Sequence, residues 1–137
     1  MLFLCLSFSH DMTKKRSEIA YDQNIIEALR KLPNPIKDKR HNLIIYVRDD
    51  RSRSNETRFE HIAKNYHDLK VRDIEAIPNG IKNYIKFCKS AKLKDTYSYY
   101  INRKGEDKGF IKVVILKDMF DSTKAYLKTI FITYKIN

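Results

Sequence analysis

The stretch Phe110-Ile-Lys-Val-Val-Ile-Leu-Lys117 has the clearest strand pattern in the chain, because β-branched and aromatic residues fill most of it. A second strand is predicted over Thr96–Arg103, where the side chains alternate between two faces, and a third over Tyr126–Ile136. The segment Gly105-Glu-Asp-Lys-Gly109 supplies a turn, and Asp118–Lys124 forms a rather long loop. The last third of the chain therefore predicts an antiparallel sheet.

Residues 17–32 predict a helix, since their apolar side chains recur at three- and four-residue steps. Ser17 and Asp22 are the two candidate N-caps, and Pro33-Asn34-Pro35 ends the pattern.

A short β-rich run, Leu43–Val47, comes next and predicts a buried strand. Two further helices are predicted over 56–68, with Ser54 or Asn55 as N-cap, and over 71–77.

Helices that precede an antiparallel sheet indicate an α+β domain. We expect N-terminal helices packed on one face of an antiparallel sheet of about four strands. An N-terminal extension and helix would occupy 1–40 and the α+β domain 41–137, together forming one compact unit.

The chain is strongly basic, with Lys+Arg 28 against Asp+Glu 17 and a net charge of +11 over 137 residues. Such a field attracts nucleic-acid phosphates or anionic lipid. The alternative interpretation is a charge that only keeps the protein soluble. No apolar run approaches the roughly 20 residues of a membrane-spanning helix, so we expect no membrane partner.

The first residues, Met1–Phe8, are apolar, but no cation precedes them and Lys14-Lys15-Arg16 follows, which argues against a signal peptide. The alternatives are an uncleaved start at Met1 and a natural start at Met12, since Met12-Thr-Lys-Lys-Arg16 would make an ordinary cytoplasmic N-terminus. We expect the protein to be cytoplasmic. Cys5 and Cys88 are far apart and fit neither a disulfide framework nor a zinc-ligand spacing.

Arg58 and His61 lie one turn apart on the predicted helix 56–68, beside its apolar stripe. Histidine can be the general base for a ribose 2′-hydroxyl or the acid for a leaving oxygen, and a guanidinium can neutralise charge on phosphorus. His67 is about 120° further round the helix, so one face cannot present both histidines. The alternative is that His61 is an ordinary surface or capping residue.

No glycine-rich phosphate loop and no GxSxG or HExxH motif is present, and the carboxylates are scattered. We expect neither a cofactor nor a metal site.

The last predicted strand has two different faces. One carries Ile130, Ile132, Tyr134 and Ile136, and the other carries Thr129, Phe131, Thr133 and Lys135. If the isoleucines face the helices, then Thr129 and Thr133 face an open surface.

Two further features are candidates for substrate binding. Lys112, inside an apolar strand, either snorkels at an edge or points into a site. Tyr97, Tyr99 and Tyr100 either stack on unpaired bases or pack within the sheet.

Several of these segments, in this order, resemble the small ribonuclease toxins of the barnase, EndoU, colicin and RelE-like superfamily, especially those of phages and mobile elements. The resemblance covers about residues 41–137 and rests on Arg58–Leu69, Ile74–Pro78, Tyr99-Tyr100, Lys112–Ile115 and Ile132-Thr133-Tyr134.

The resemblance implies metal-independent RNA cleavage through a 2′,3′-cyclic phosphate, with His61 as general base or acid and Arg58 beside it. It also implies that Thr133 and Tyr134 contact the scissile phosphate, although strand parity allows only one of them to face the site. His67 matches a second family histidine less securely. The implied partners are RNA, such as tRNA, and an antitoxin or immunity protein.

The sequence thus favours a cytoplasmic endoribonuclease toxin with Arg58, His61, Lys112 and Thr133 as catalytic residues. His67, Tyr99, Tyr100, Thr129 and Lys135 are the predicted substrate-binding residues. The alternative is a non-catalytic nucleic-acid-binding module, for which charge and tyrosines suffice.

Overall fold

The computed structural model describes residues 20–53, 55–64 and 68–136. Its α+β architecture is built on a curled six-stranded sheet with short helices between the strands. The helices are α1 (Gln23–Arg30), α2 (Arg58–Ile62), α3 (Val71–Glu75) and α4 (Ile77–Lys82). The strands are β1 (Ile36–Asp38), β2 (Leu43–Tyr46), β3 (Arg51–Arg53), β4 (Glu56–Thr57), β5 (Lys86–Lys89), β6 (Thr96–Asn102), β7 (Phe110–Lys117) and β8 (Lys124–Thr133).

The main sheet has the strand order β1-β2-β8-β7-β6-β5, and β3 pairs with β4 in a separate two-stranded sheet. Strands β5 to β8 are successive antiparallel neighbours, whereas β2 pairs with β8 in parallel. The predicted antiparallel sheet of about four strands is therefore wrong. The β1–β2 hairpin extends the sheet to six strands, and its parallel pairing makes the sheet mixed.

The helices do not all precede the sheet as predicted, since α2, α3 and α4 lie between β4 and β5 in the chain. Within the predicted helix 17–32, the structure shows a helix over Gln23–Arg30. Asp22 is its N-cap, and its carboxylate accepts hydrogen bonds from the amides of Asn24 and Ile25. Helix 56–68 is reduced to Arg58–Ile62, and its N-cap is Thr57 rather than Ser54 or Asn55.

The core lies between the helices and one face of the sheet. Helix α2 packs against β8, and α4 packs against β6. Gly80 of α4 makes close approach possible, because a Cβ atom there would lie 2.4 Å from Cγ2 of Ile101. Alternate residues of β7 point into this core, and Ile111, Val113 and Ile115 are all fully buried.

A buried ion pair fixes the end of β6 to the helices. The Arg103 guanidinium donates from Nε to Oδ1 of Asp73 at 3.0 Å and from Nη2 to Oδ2 at 2.9 Å. Both side chains are almost completely buried, and the two parallel hydrogen bonds satisfy the charges that burial removes from water.

A second polar cluster lies at the end of β1, where the buried Asp38 carboxylate accepts a 2.5 Å hydrogen bond from the Tyr99 hydroxyl. Nδ1 of His41 is 2.7 Å from the same carboxylate. Burial alone raises the pKa of Asp38, but the hydrogen bonds from Tyr99 and His41 outweigh it and hold this pKa below its usual value.

No helix in the described part of the chain is long and apolar enough to cross a membrane.

The Asp38 cluster predicts an acid-sensitive contribution to stability. Because the pKa of Asp38 is lowered in the folded state, this carboxylate stabilises the fold at pH values above its ordinary pKa of 3.8. The stabilisation is lost as the pH falls through the lower pKa of the folded state. We expect Asp38→Asn to have a lower free energy of unfolding at neutral pH and a smaller loss of it on acidification. Urea denaturation at a series of pH values measures both quantities. Glu75→Gln, which changes an exposed carboxylate, is the control, and an Asp38→Asn curve parallel to wild type contradicts the assignment.

Candidate active site

The start of helix α2 is held in place by hydrogen bonds from its backbone to Asp49, in the segment after β2, and by a capping box at the helix itself. Thr57 and Glu60 form a capping box, in which the Thr57 amide donates to Oε1 of Glu60 at 2.9 Å. The Asp49 carboxylate accepts from the Phe59 amide at 2.9 Å. These bonds satisfy amides at the helix start and fix the direction in which His61 leaves the helix.

Glu56 and His61 form a carboxylate–imidazole pair across the junction between β4 and α2. Nδ1 of His61 is 2.9 Å from Oε1 of Glu56, and the Glu56 side chain is only 8% exposed. Nζ of Lys64 is 3.1 Å from the same oxygen, and the Tyr21 hydroxyl donates to Oε2 at 3.4 Å. The carboxylate is thus fixed by His61 of α2 and by Tyr21 and Lys64, which lie just outside the helices and pair with each other at an isolated bridge.

This environment determines which nitrogen of His61 carries the proton. Burial raises the pKa of Glu56, but the hydrogen bonds from His61 and Lys64 have the larger combined effect and leave this pKa below its usual value. An ionised carboxylate can only accept hydrogen bonds, so Nδ1 of His61 must be the donor. Nε2 is then the nitrogen without a proton in the neutral imidazole.

Arg58 joins helix α2 to strand β8. Its Nε donates to Oδ1 of Asp50 at 2.6 Å, and its Nη1 donates to the backbone carbonyl of Lys128 at 2.7 Å. Lys128 lies at a β-bulge, since Val114 pairs with Thr129 while Ile115 pairs with Leu127.

The bulge reverses which residues of β8 face the core. Before it, Ala125 and Leu127 are buried, and after it Ile130 is buried instead. Thr129 therefore points away from the core on the same face as Phe131 and Thr133, as the strand parity predicts.

His61, Arg58 and Thr129 line one cavity of about 370 Å³ between α2, β8 and the segment that follows β2. The complete lining is Arg48, Asp50, Ser52, Arg58, His61, Leu116, Tyr126, Leu127, Lys128 and Thr129. Three cations and one carboxylate make this lining positive before His61 is counted. The Arg48 guanidinium lies 4.2 Å above the Tyr126 ring, which holds its charge at the cavity. The cavity therefore suits an anion beside a proton-accepting imidazole.

The remaining predicted catalytic residues lie outside the cavity. The Lys112 ammonium lies over the rings of Tyr100 and Phe131, at 5.2 and 5.5 Å from their centroids, on the face that Thr129 shares. Thr133 is at the other end of β8, where its hydroxyl donates to the carbonyl of Lys135 at 3.1 Å. The structure brings Arg58 and His61 together with Thr129, but it does not bring Thr133 or Lys135 to them.

Both Tyr99 and Tyr100 are buried, with exposures of 0% and 1%, which corresponds to the second of the two interpretations, packing within the sheet. Tyr99 packs in the core beside Phe87 and bonds to Asp38, which leaves neither face open to a base. His67 lies outside the described residues. Tyr134, which the family resemblance placed at the phosphate, donates its hydroxyl to Asp68 instead.

Sequence reasoning missed Glu56, Arg48, Asp50 and Lys128. The Glu56–His61 contact spans a strand–helix junction, so helical spacing could not reveal it. Thr57 and Glu60 form a capping-box pair in the sequence, and this was the one local signal that could have placed the helix start at Arg58.

Within residues 20–53, 55–64 and 68–136, no three histidine, cysteine, aspartate or glutamate side chains converge to hold a metal ion. No protein-family model, curated protein or solved structure matches the chain.

The orientation of His61 can be tested without any substrate. In Glu56→Gln an amide replaces the acceptor, and its nitrogen can donate to Nδ1, so we expect the population with the proton on Nε2 to rise. Nitrogen-15 NMR of the imidazole at alkaline pH distinguishes the two tautomers. His41, held by Asp38, serves as the internal control and should not change. A wild-type His61 with its proton on Nε2 contradicts the assignment.

Proposed function

We propose that this protein is a metal-independent endoribonuclease that cleaves RNA by attack of a ribose 2′-hydroxyl on the adjacent phosphate. The observation that carries the proposal is the Glu56–His61 pair, which lies at a cation-lined cavity together with Arg58 and Thr129. This cavity combines a group that can accept a proton with positive charge for a phosphate, and transesterification of RNA requires both.

In the first part of the reaction, Nε2 of His61 takes the proton of the 2′-hydroxyl while O2′ forms a bond to phosphorus. The bond from phosphorus to O5′ breaks, the departing oxygen takes a proton from solvent water, and the His61 imidazolium releases its proton to solvent, so the products are a 2′,3′-cyclic phosphate and a 5′-hydroxyl. Glu56 keeps Nδ1 protonated and stabilises the imidazolium that forms.

Groups on two sides of the cavity would stabilise the negative charge that develops on the phosphate oxygens. Arg58 is fixed by Asp50 and by the Lys128 carbonyl, and Arg48 by the Tyr126 ring, so both guanidinium groups are held before substrate arrives. The Thr129 hydroxyl can donate to a non-bridging oxygen. Lys112, on the same face of the sheet, would contact a neighbouring phosphate of the strand.

The proposal extends to the biological role that the family resemblance implies. The protein would act as a toxin on cytoplasmic RNA, such as tRNA, and an antitoxin or immunity protein would restrain it.

A second candidate is a nucleic-acid-binding module without catalysis. The net charge of +11 and the three cations that line the cavity favour it, because they attract nucleic-acid phosphates without any need for proton transfer. RNA cleavage separates the two candidates.

Cleavage of total tRNA and of a single-stranded RNA in the presence of EDTA tests the proposal. We expect wild type to release fragments with 2′,3′-cyclic phosphate ends. We expect His61→Ala to lower the rate about 10²- to 10⁴-fold while RNA binding is retained, because a positioned acid–base group contributes that much. His41→Gln is the matched control, since His41 does not line the cavity. Equal cleavage by wild type and His61→Ala overturns the assignment. Salt-sensitive binding without cleavage supports the second candidate.

Two threonines on one face of β8 provide a further comparison. Thr129 lines the cavity and Thr133 does not, so we expect Thr129→Val to lower the cleavage rate on the order of 10-fold or more through loss of a hydrogen-bond donor. Thr133→Val should leave the rate unchanged. Single-turnover rates at saturating RNA measure both, and a larger loss in Thr133→Val would favour the residue that the family resemblance implied.

A further inference from the structure

Strand β1 is an edge of the main sheet, and its outer side has no partner strand among the described residues. Its only pairing is with β2, with Lys37 opposite Ile44. The Ile44 amide points away from β1, toward β8, where it donates to the carbonyl of Thr123 at 2.7 Å. Lys37 and Ile44 therefore do not exchange hydrogen bonds, because both groups of Ile44 point away from β1. The amide and carbonyl of Lys37 likewise point away from β2, toward the open edge.

A groove of about 680 Å³ runs along this edge, between β1 and helix α4. Its apolar lining is made by three prolines and an isoleucine, Pro33, Pro35, Pro78 and Ile81, to which Ile36 of the strand adds. No aromatic ring is among the described residues that line it. The groove therefore offers apolar contact along an extended backbone but no platform on which a nucleobase could stack.

The rim of the groove is basic. Lys37, Lys39 and Arg40 follow one another along β1 and the turn after it, and Lys82 lies at the end of α4. All four are exposed. The only carboxylate in the lining belongs to Asp38, which bonds to Tyr99 and His41 and so is already partnered.

The edge is held at both ends by side-chain contacts. At one end, the Asn34 side chain accepts from the Val47 amide at 3.0 Å and donates to the Val47 carbonyl at 2.8 Å. At the other end, Asp38 is held by Tyr99, and the His41 ring stacks on Phe87 with centroids 4.0 Å apart. A fixed edge loses little conformational entropy when a further strand pairs with it.

We propose that this groove binds an extended acidic segment of a partner protein, which adds to β1 as a further strand of the sheet. The backbone of the segment pairs with the amide and carbonyl of Lys37. Alternate side chains of the segment lie on the prolines and Ile81, and carboxylates on the intervening residues meet the basic rim. The proposal is independent of the ribonuclease activity.

The charge of the groove selects against two other occupants. A second copy of this chain would bring its own β1, with the same lysines, against the rim, and like charges facing each other across paired strands destabilise the pairing. A single-stranded RNA would satisfy the lysines but would leave the Lys37 amide and carbonyl without backbone partners and the proline surface without stacking bases.

A ten-residue synthetic peptide of alternating valine and glutamate is the probe. We expect it to bind wild type and to slow hydrogen exchange of the Lys37 amide, while the amides of Ile36 and Asp38, already bonded to β2, change little. The same peptide with every backbone amide N-methylated keeps its charge but has no N–H group on either edge to pair as a strand, so we expect it to bind at least tenfold more weakly.

The matched variants are Lys37→Glu/Lys39→Glu in the groove and Lys92→Glu/Lys94→Glu next to the opposite edge of the sheet, which change the net charge equally. We expect only the first pair to weaken peptide binding, by tenfold or more. Equal loss in both pairs, equal binding of the N-methylated peptide, or no protection of the Lys37 amide overturns the proposal. Displacement of the peptide from Lys37 by single-stranded RNA, with RNA itself bound along β1, would assign the groove to nucleic acid instead.

Discussion

The contact between Arg58 and the carbonyl of Lys128 is the interaction on which the geometry of the candidate active site depends. A β-bulge turns this carbonyl out of the ladder between β7 and β8, and the guanidinium satisfies it from the first residue of α2. The same guanidinium bonds to Asp50, in the segment that follows β2. One side chain thus joins the two elements that carry His61 and Thr129, and it does so at the point where β8 changes the face it presents to the core.

The mixed sheet gives the molecule two basic surfaces of different chemistry. In the cavity around His61, the cations are held by carboxylate, carbonyl and ring contacts and lie beside an oriented imidazole, which suits a phosphate that is to react. Along β1, exposed lysines border an unpaired strand edge with a proline-lined groove, which suits the backbone of a peptide. The net charge of +11 alone could not distinguish these surfaces, because it carries no information on what lies between the cations.

The parts of the fold that could be predicted were those with a strong and uninterrupted period. Phe110–Lys117 is a strand over the predicted residues, and the parity of Thr129 and Ile130 is correct. The short strands β1 and β5 were missed, because lysine and aspartate interrupt their patterns. Pairing of β2 with β8 joins segments some eighty residues apart, and no local pattern contains that information.

In the candidate site, too, local relationships could be predicted from the sequence and long-range contacts could not. Arg58 and His61 were found because they lie one turn apart on a helix, which is a local relationship. Glu56 was missed because its contact with His61 depends on how β4 enters the helix. The sequence could not decide between stacking and packing for Tyr99 and Tyr100, because adjacent strand residues point to opposite faces and alternation does not show that both faces are covered at this position.

The most direct test of the proposed cleavage site is to map where on the protein the cyclic product of the reaction binds. Each common nucleoside 2′,3′-cyclic monophosphate would be titrated into isotope-labelled protein, and the NMR signals of the arginine, histidine and threonine side chains followed. We expect saturable shifts at Arg58, His61 and Thr129, and none along β1. Shifts confined to the β1 groove, or none that saturate, would contradict the assignment of this cavity as the place where RNA is cleaved.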